Sequence, residues 1–396
     1  MSITKRVKEV LSERIKNLNL PVFGKVFALT VNKDVIHLDG GSPDFSAPLE
    51  IKDAAIAAIR SDNNQYASVQ GVLELRQNIA ARIKAKEAVS FDPEEEIVIC
   101  NGATEGITAT LLTIVNPGDE VIILEPAFTL YAASVALCGG SPVYVQLQPP
   151  GFCIEQAAIE AALSPRTKAI IVNSPHNPTG RVYNRGELEI IAAICRKHNI
   201  LVITDEVYDD LVFDGIITEK LWKLPDMKSR TIIVSSFSKS YSVTGWRVGY
   251  VIAPPVIARG VFVAHTYLTV GAAAPLQIAA IAATQLPQSY YVELAARLQR
   301  CRDLLFSALV NLGFQCIKPQ GGYFILAEGS SFGWKDDWSL VRHLIDDIGV
   351  VALPLSGFYN NSGQRDGVFL RFAFCKQEKT LHAGIERLQQ LKPKLK

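Results

Sequence analysis

The sequence predicts an α/β protein: a mostly parallel, seven-stranded sheet with helices on both faces, plus a smaller α+β domain. Seven short apolar runs read as strands, namely EIVIC (96–100), VIILEP (121–126), PVYVQL (142–147), AIIVNSP (169–175), ILVITDEVY (200–208), TIIVSSFSK (231–239) and RVGYVIA (247–253). Most are continuous runs of Val and Ile, the pattern of strands buried on both faces. Amphipathic segments separate several of them. In GELEIIAAICRKH, for example, Leu188, Ile191 and Ile194 share one helical face. Strand–helix–strand order argues for parallel pairing beneath covering helices.

The texture changes after about residue 290. FQCIKP…GGYFIL, VVALPLSGFY and VFLRFAF are strands with longer connections, and a final helix carries Leu381, Ile385, Leu388 and Leu391 in one stripe. These are expected to form the smaller domain. The expected division is a large domain over 46–284 and a second unit assembled from 1–45 and 285–396. At the N-terminus, Val7, Val10, Leu11 and Leu18 suit a short amphipathic arm.

Composition excludes several classes of function. The 396 residues carry 40 Lys+Arg against 39 Asp+Glu, with 48% hydrophobic residues. Disorder requires lower hydrophobicity or higher net charge. A net charge of +1 offers no sequence-independent grip on nucleic acid or anionic lipid. The seven cysteines are widely spaced and the six histidines scattered, so free thiols in a reducing compartment are expected and a metal site is not. The N-terminal segment lacks the apolar run of a signal peptide. Gly260 to Val292 contains no Asp, Glu, Lys or Arg, but it includes His265, Pro275, Gln277 and many alanines. A buried helix or subunit interface suits it better than a membrane span. A soluble, cytoplasmic protein is expected.

The chemistry should lie where the strands end. Neither G-x-G-x-x-G nor G-x-x-x-x-G-K-[ST] occurs, which removes the main support for dinucleotide and P-loop readings. What does occur is S-F-S-K-S-Y-S-V-T-G-W-R-V-G, from Ser236 to Gly249. A lysine that ends an apolar strand is costly without a partner or a covalent role, and lysine forms Schiff bases with carbonyl compounds. Ser236, Ser238 and Arg247 add hydroxyls and a fixed positive charge suited to one phosphate group. The segment resembles the pyridoxal-phosphate attachment site of the class I and II aminotransferases and matches every constrained position of that pattern. The resemblance implies the fold type I of pyridoxal-phosphate-dependent transferases, with Lys239 as the catalytic, cofactor-bearing residue.

Other segments carry the resemblance further. In the D-E-x-Y pattern, Asp205 would pair with the cofactor's ring nitrogen and Tyr208 with its phenolic oxygen. NSPHNPTG (173–180) resembles the family's N-x-P-x-N-P-x-G turn, whose second asparagine, here Asn177, reaches the same oxygen, with Asn173 nearby. Gly102, Ala103 and Thr104 open the helix after EIVIC, where backbone N–H groups can receive the phosphate. By resemblance, Phe128 would stack on the cofactor ring and Tyr66 would cross to the partner subunit's phosphate in a homodimer with shared active sites. An amino acid's α-carboxylate calls for a bidentate arginine; Arg371 in VFLRFAF matches the family's, and LDGGSPDF (38–45) would bring the backbone near Gly41, beside Asn177, to the same group.

The resemblance covers essentially the whole chain and is strongest to the kynurenine/glutamine and methionine aminotransferase branch, through QGGYFIL, ALPLSGFY and LRFAFCK. Two departures bear on substrate. Ala272 and Ala273 replace the bulky or polar residues usual before Pro275, and Ala103 stands where some aspartate aminotransferases place a lysine. The implied activity is transfer of an amino group from a neutral or aromatic L-amino acid to a 2-oxo acid by ping-pong half-reactions, with Lys239 as general base and acid. The alternatives are a cysteine-conjugate β-lyase on the same cofactor and an aspartate-type aminotransferase. A non-catalytic regulator on this fold would need an added DNA-binding segment, and none precedes residue 40.

Overall fold

A computed structural model describes residues 10–16, 18–360 and 367–392. Strand β1 (Ile36–His37) precedes the large sheet, whose strands are β2 (Ile97–Cys100), β3 (Glu120–Glu125), β4 (Ser141–Gln146), β5 (Thr167–Asn173), β6 (Leu201–Asp205), β7 (Thr231–Ser236) and β8 (Gly249–Ile252). Each falls on one of the seven apolar runs. The order across the sheet is β2-β8-β7-β6-β5-β3-β4. The pairs β3–β4, β3–β5, β5–β6 and β6–β7 are parallel, whereas β8 runs antiparallel to both β7 and β2.

The continuous apolar runs are explained by cores on both faces. Val121 and Ile123 pack with the helices Ala103–Ile114 and Pro255–Thr269, while Ile122 and Leu124 face the opposite core with Leu188, Ile191 and Ile194 of helix Arg185–His198. Successive residues of a strand point to opposite faces, so both must be apolar. Strand β4 departs from this pattern, exposing Ser141 and Gln146, because it lies at the sheet's edge. Helix Arg185–His198 begins with a capping box: Asn184 Oδ1 accepts from Glu187 N–H at 3.1 Å and Glu187 Oε2 accepts from Asn184 N–H at 3.0 Å.

The second sheet comprises β9 (Gln315–Ile317), β10 (Phe324–Glu328), β12 (Leu353–Pro354) and β13 (Phe369–Ala373), antiparallel in the order β12-β13-β10-β9, while β11 (Val350–Val351) pairs in parallel with β1. The final helix spans Glu378–Leu388. It buries Leu381 and Leu388, packs Ile385 against the same core, and is followed by buried Leu391. In the expected N-terminal arm, Val10 and Leu11 are exposed beside the short helix Glu13–Lys16, and Val7 lies outside the described residues. The uncharged run covers the latter part of helix Pro255–Thr269, helix Ala274–Thr284 and the start of helix Gln288–Asn311, and the first two are separated at Val270, whose φ is 65°. Among the described residues no helix is long and apolar enough to cross a membrane.

One packing contact sets the position of the first helix after β2. Gly249, where β8 begins, lies so close to this turn that a Cβ there would fall 2.7 Å from Gly102 C, 2.8 Å from Ala103 N and 2.8 Å from Ser235 O. All three are backbone atoms, which cannot rotate aside. Gly249→Ala is expected to lower stability by about 2 kcal/mol or more, measured as a lower urea midpoint at unchanged m-value.

Candidate active site

A cavity of about 330 Å³ opens at the carboxyl ends of β5, β6 and β7. It gathers Asn173 and Asn177 from the β5 end, Asp205 and Tyr208 from the β6 end, and Ser236, Ser238, Lys239 and Arg247 from the segment after β7. Ala103, Thr104 and Phe128 join from the β2 and β3 ends, and Gly41 and Arg371 from the other side. These expected site residues are separated by hundreds of positions and meet in one place. Two others do not line the cavity. Tyr66 is 87% exposed, outside the cavity. Gly102 lies behind it, and its N–H donates to Cys100 O at 2.8 Å, so of the three helix-opening residues only Ala103 and Thr104 offer backbone N–H groups.

Lys239 Nζ donates to Gly41 O at 2.7 Å. Burial, together with the charge of Arg371, lowers its pKa from 10.5 to about 8 despite nearby Asp205. A lysine tuned this way is partly neutral near pH 8, which suits a nucleophile and base. Asp205 shows the opposite shift. Burial raises its carboxyl to about 6, against hydrogen bonds from Tyr131 OH (2.5 Å) and Val207 N–H (3.2 Å) that favour the carboxylate. Asn173 braces this strand end: its Nδ2 donates to Asp205 O at 2.9 Å, and its Oδ1 accepts from Asn177 N–H at 2.8 Å.

An anion cradle lies beside them. Helix Ala103–Ile114 points its N-terminus at the cavity, where its dipole and unpaired N–H groups favour negative charge. Arg247 crosses this helix start. Glycine stands at 102 because the backbone there takes a φ of 80°, and a Cβ would also come within 2.3 Å of Arg247 Nη2. The guanidinium donates only to carbonyls, Thr244 O at 3.0 Å and Asn101 O at 3.4 Å, and has no carboxylate partner among the described residues. Ser236 Oγ accepts from Ser238 N–H at 3.3 Å, leaving its own hydroxyl free to donate. This donor set fits a phosphate monoester.

Arg371, on β13, is buried. Nη1 donates to Asn177 Oδ1 at 2.8 Å and Nη2 to Asp39 O at 2.6 Å, and its Nε has no partner. Its guanidinium carbon lies 3.7 Å from the Phe324 ring centroid and 4.7 Å from that of Phe358. Burial lowers its pKa to about 10, so it remains a cation at neutral pH.

Several functional neighbours left no local signal in the sequence. Tyr131, Phe324 and Phe358 line the cavity, and only their inclusion in the segments EPAFTLY, QGGYFIL and ALPLSGFY hinted at them. A buried charge network under Lys239 also went unread. Arg82 pairs with Asp210 (2.7 Å), Lys86 with Asp209 (2.6 Å) and Asp210 (3.2 Å), and Lys220 with Glu206 (2.6 Å) and Asp209. The acids follow β6 in EVYDD, and the spacing of Arg82 and Lys86 on helix Leu73–Glu87 was the available clue.

All seven cysteines are free thiols. Cys100, Glu105 and His265 come within 4.8 Å of one another, a grouping absent from any linear spacing. His265 Nδ1 and Glu105 Oε1 lie 3.1 Å apart, and Glu105 Oε2 accepts from Asn101 N–H at 3.0 Å.

Two titrations follow from this geometry in the cofactor-free protein. Tyr131→Phe removes a hydrogen bond to the carboxylate, so the Asp205 pKa should rise from about 6, read by carboxyl ¹³C NMR. Between about pH 8 and 10.5 the unfolded chain holds the Lys239 proton and the folded protein does not, so stability rises with pH in that window. The wild type should therefore gain up to about 3 kcal/mol relative to Lys239→Met across it, measured by denaturant unfolding.

Comparison with known proteins agrees with the geometry. The family described as "Aminotransferase class I and II" matches residues 33–388. The probable N-succinyldiaminopimelate aminotransferase DapC of Mycobacterium tuberculosis is 37% identical over 387 residues, covering 96% of this chain and 98% of that protein. The methionine aminotransferase of Escherichia coli is 33% identical over 378 residues, covering 96% and 97%. The solved structure of N-succinyldiaminopimelate aminotransferase from Mycobacterium tuberculosis superposes with a TM-score of 0.93 at 36% identity, covering 96% of this chain and all of that one. A lysine, an acid and two arginines converge on the ends of a mostly parallel sheet, in a chain matched by this family along nearly its whole length: the protein belongs to the class I and II aminotransferases.

Proposed function

We propose that this chain is a pyridoxal-phosphate-dependent aminotransferase that moves the amino group of a neutral or aromatic L-amino acid to a 2-oxo acid. The observation that carries this reading is the shared cavity of Lys239, Asp205, Arg247 and Arg371. Ala103 and Thr104 N–H, Ser236, Ser238 and Arg247 would hold the cofactor's phosphate. Asp205 would pair with the ring nitrogen and keep it protonated, Tyr208 and Asn177 would serve the phenolic oxygen, and Phe128 would cover the ring. When bound, the cofactor supplies an electron sink for the substrate's α-carbon.

The chain's own residues do the rest. Arg371, whose buried Nε lacks a partner, takes the α-carboxylate with the backbone near Gly41. Lys239 removes the α-proton at Nζ and returns it as an acid, a role that its pKa of about 8 suits. The apolar walls Phe23, Phe324, Leu353 and Phe358 favour an uncharged substrate side chain. Lys239, Arg247 and Arg371 already have partners in this scheme, and no further Lys or Arg lines the cavity among the described residues. A second carboxylate therefore finds no cation within the subunit.

The cavity draws on both 46–284 and the unit made of 1–45 with 285–396, in keeping with a site between two domains. Exposed Leu49, Ile56, Ile59, Tyr66 and Tyr267 form apolar surface suited to a homodimer in which Tyr66 reaches the partner's cavity. Free thiols suit a reducing cytoplasm.

Adding each of the twenty amino acids to the cofactor-loaded protein should bleach its visible absorbance with neutral and aromatic donors at least about 10-fold more efficiently than with aspartate, the cost of an unpaired carboxylate. Lys239→Ala should abolish transfer. Arg371→Ala should lower kcat/KM by about 10³-fold through loss of a buried charged pairing. Absence of bleaching by any amino acid would overturn the reading. Release of pyruvate and ammonia from a β-substituted alanine without a 2-oxo acid would indicate the β-lyase instead.

A further inference from the structure

We propose that Tyr323 is a positioning residue for Lys239, holding the Lys239–Ser240 backbone through a hydrogen bond to the lysine's own carbonyl. Lys239 and Ser240 lie in a turn after β7, beyond the reach of the sheet's ladder. Among the described residues no backbone N–H donates to either carbonyl. Side chains do so instead. Tyr323 OH donates to Lys239 O at 2.6 Å, Tyr290 OH donates to Ser240 O at 2.6 Å, and Ser240 Oγ donates to Asp210 Oδ2 at 2.9 Å. Three hydrogen bonds from three separate elements thus converge on two residues.

Each partner is itself fixed. Tyr323 is fully buried, and burial pushes its phenol well above the ordinary range, so it stays a donor at all working pH values. Its ring meets Tyr208 edge to face at 5.4 Å, and Lys239 Nζ lies 5.7 and 5.8 Å from the two ring centroids. The preceding Gly322 N–H donates to Leu211 O at 2.8 Å, which ties Tyr323 to the segment carrying Asp210. Burial works against the Asp210 carboxylate, but Arg82 and Lys86 hold its pKa below the usual range. Tyr323 also leads into β10, which pairs with the Arg371 strand β13. One sheet therefore places both the carboxylate-binding arginine and the clamp on the lysine.

A lysine side chain is a flexible four-carbon stem. The reach and aim of Nζ depend on how well its Cα end is held, and a proton transfer is sensitive to sub-ångström displacement. This inference rests on Lys239 being the cofactor-bearing base. Tyr323→Phe keeps the ring and removes the hydroxyl. It is expected to lower kcat about 10-fold with KM within about twofold, a modest displacement of the reacting group. The primary isotope effect with an α-deuterated donor should rise, because the step made by Lys239 becomes slower relative to the others. In the cofactor-free protein, the visible absorbance that appears on adding pyridoxal phosphate should form about 10-fold more slowly. Ser240→Ala, which keeps both tyrosines, should change the same three readouts in the same directions and tests the clamp independently of whether Tyr323→Phe folds. Wild-type values in both variants overturn the proposal. So does a lower kcat with an unchanged isotope effect and an unchanged rate of absorbance, which would indicate structural support alone. A wild-type protein that develops no visible absorbance with pyridoxal phosphate defeats the parent reading instead.

Discussion

Desolvation at the carboxyl ends of β5, β6 and β7 is the constraint on which the site depends. Three ionisable side chains are withdrawn from water there, and each is shifted toward its neutral form: Lys239 down to about 8, Asp205 up to about 6 and Arg371 down to about 10. Holding them in place requires a rigid surround, because a buried charge free to move would find water or a counter-ion. The double-sided core of the large sheet provides that surround.

The charges of this protein separate into two kinds by their partners. Under Lys239, the cations Arg82, Lys86 and Lys220 face the anions Glu206, Asp209 and Asp210, and each has an opposite charge within reach. Such a closed set is matched internally and offers nothing to a ligand. Arg247 and Arg371, in contrast, donate only to amide and carbonyl oxygens. A guanidinium held by neutral acceptors keeps its charge unspent, and both point into the same cavity. The first kind supports the site's geometry and the second equips it to bind two anionic groups at once.

Much of this could be read along the chain. The seven strands follow from runs of β-branched residues, and Arg371 is legible because a charge that interrupts an apolar strand is costly without a purpose. Asp205 is legible through its motif, whereas Lys239, expected to end a strand, lies in the turn that follows β7 at Ser236. Asn173 and Asn177 were readable from a turn pattern. Gly102 was readable as a helix start, although its N–H is taken by Cys100 O and what the position requires of glycine is a φ of 80°. The edge position of β4, which exposes Ser141 and Gln146, depends on strand order, and strand order has no local signature.

The sequence by itself determined the elements, the class of chemistry and the residues whose cost in a strand demands a reason. Only the tertiary structure decided what surrounds them. Tyr131 reaches Asp205 across 74 residues, Tyr323 reaches Lys239 across 84, and Arg371 reaches Asn177 across 194. A hydrogen bond between groups so far apart leaves no periodicity at either end, and a buried tyrosine reads as core whether or not its hydroxyl has work to do. Local patterns encode secondary structure because backbone geometry repeats every few residues. The partners of a side chain are fixed by how the sheets pack, which no short stretch of sequence contains.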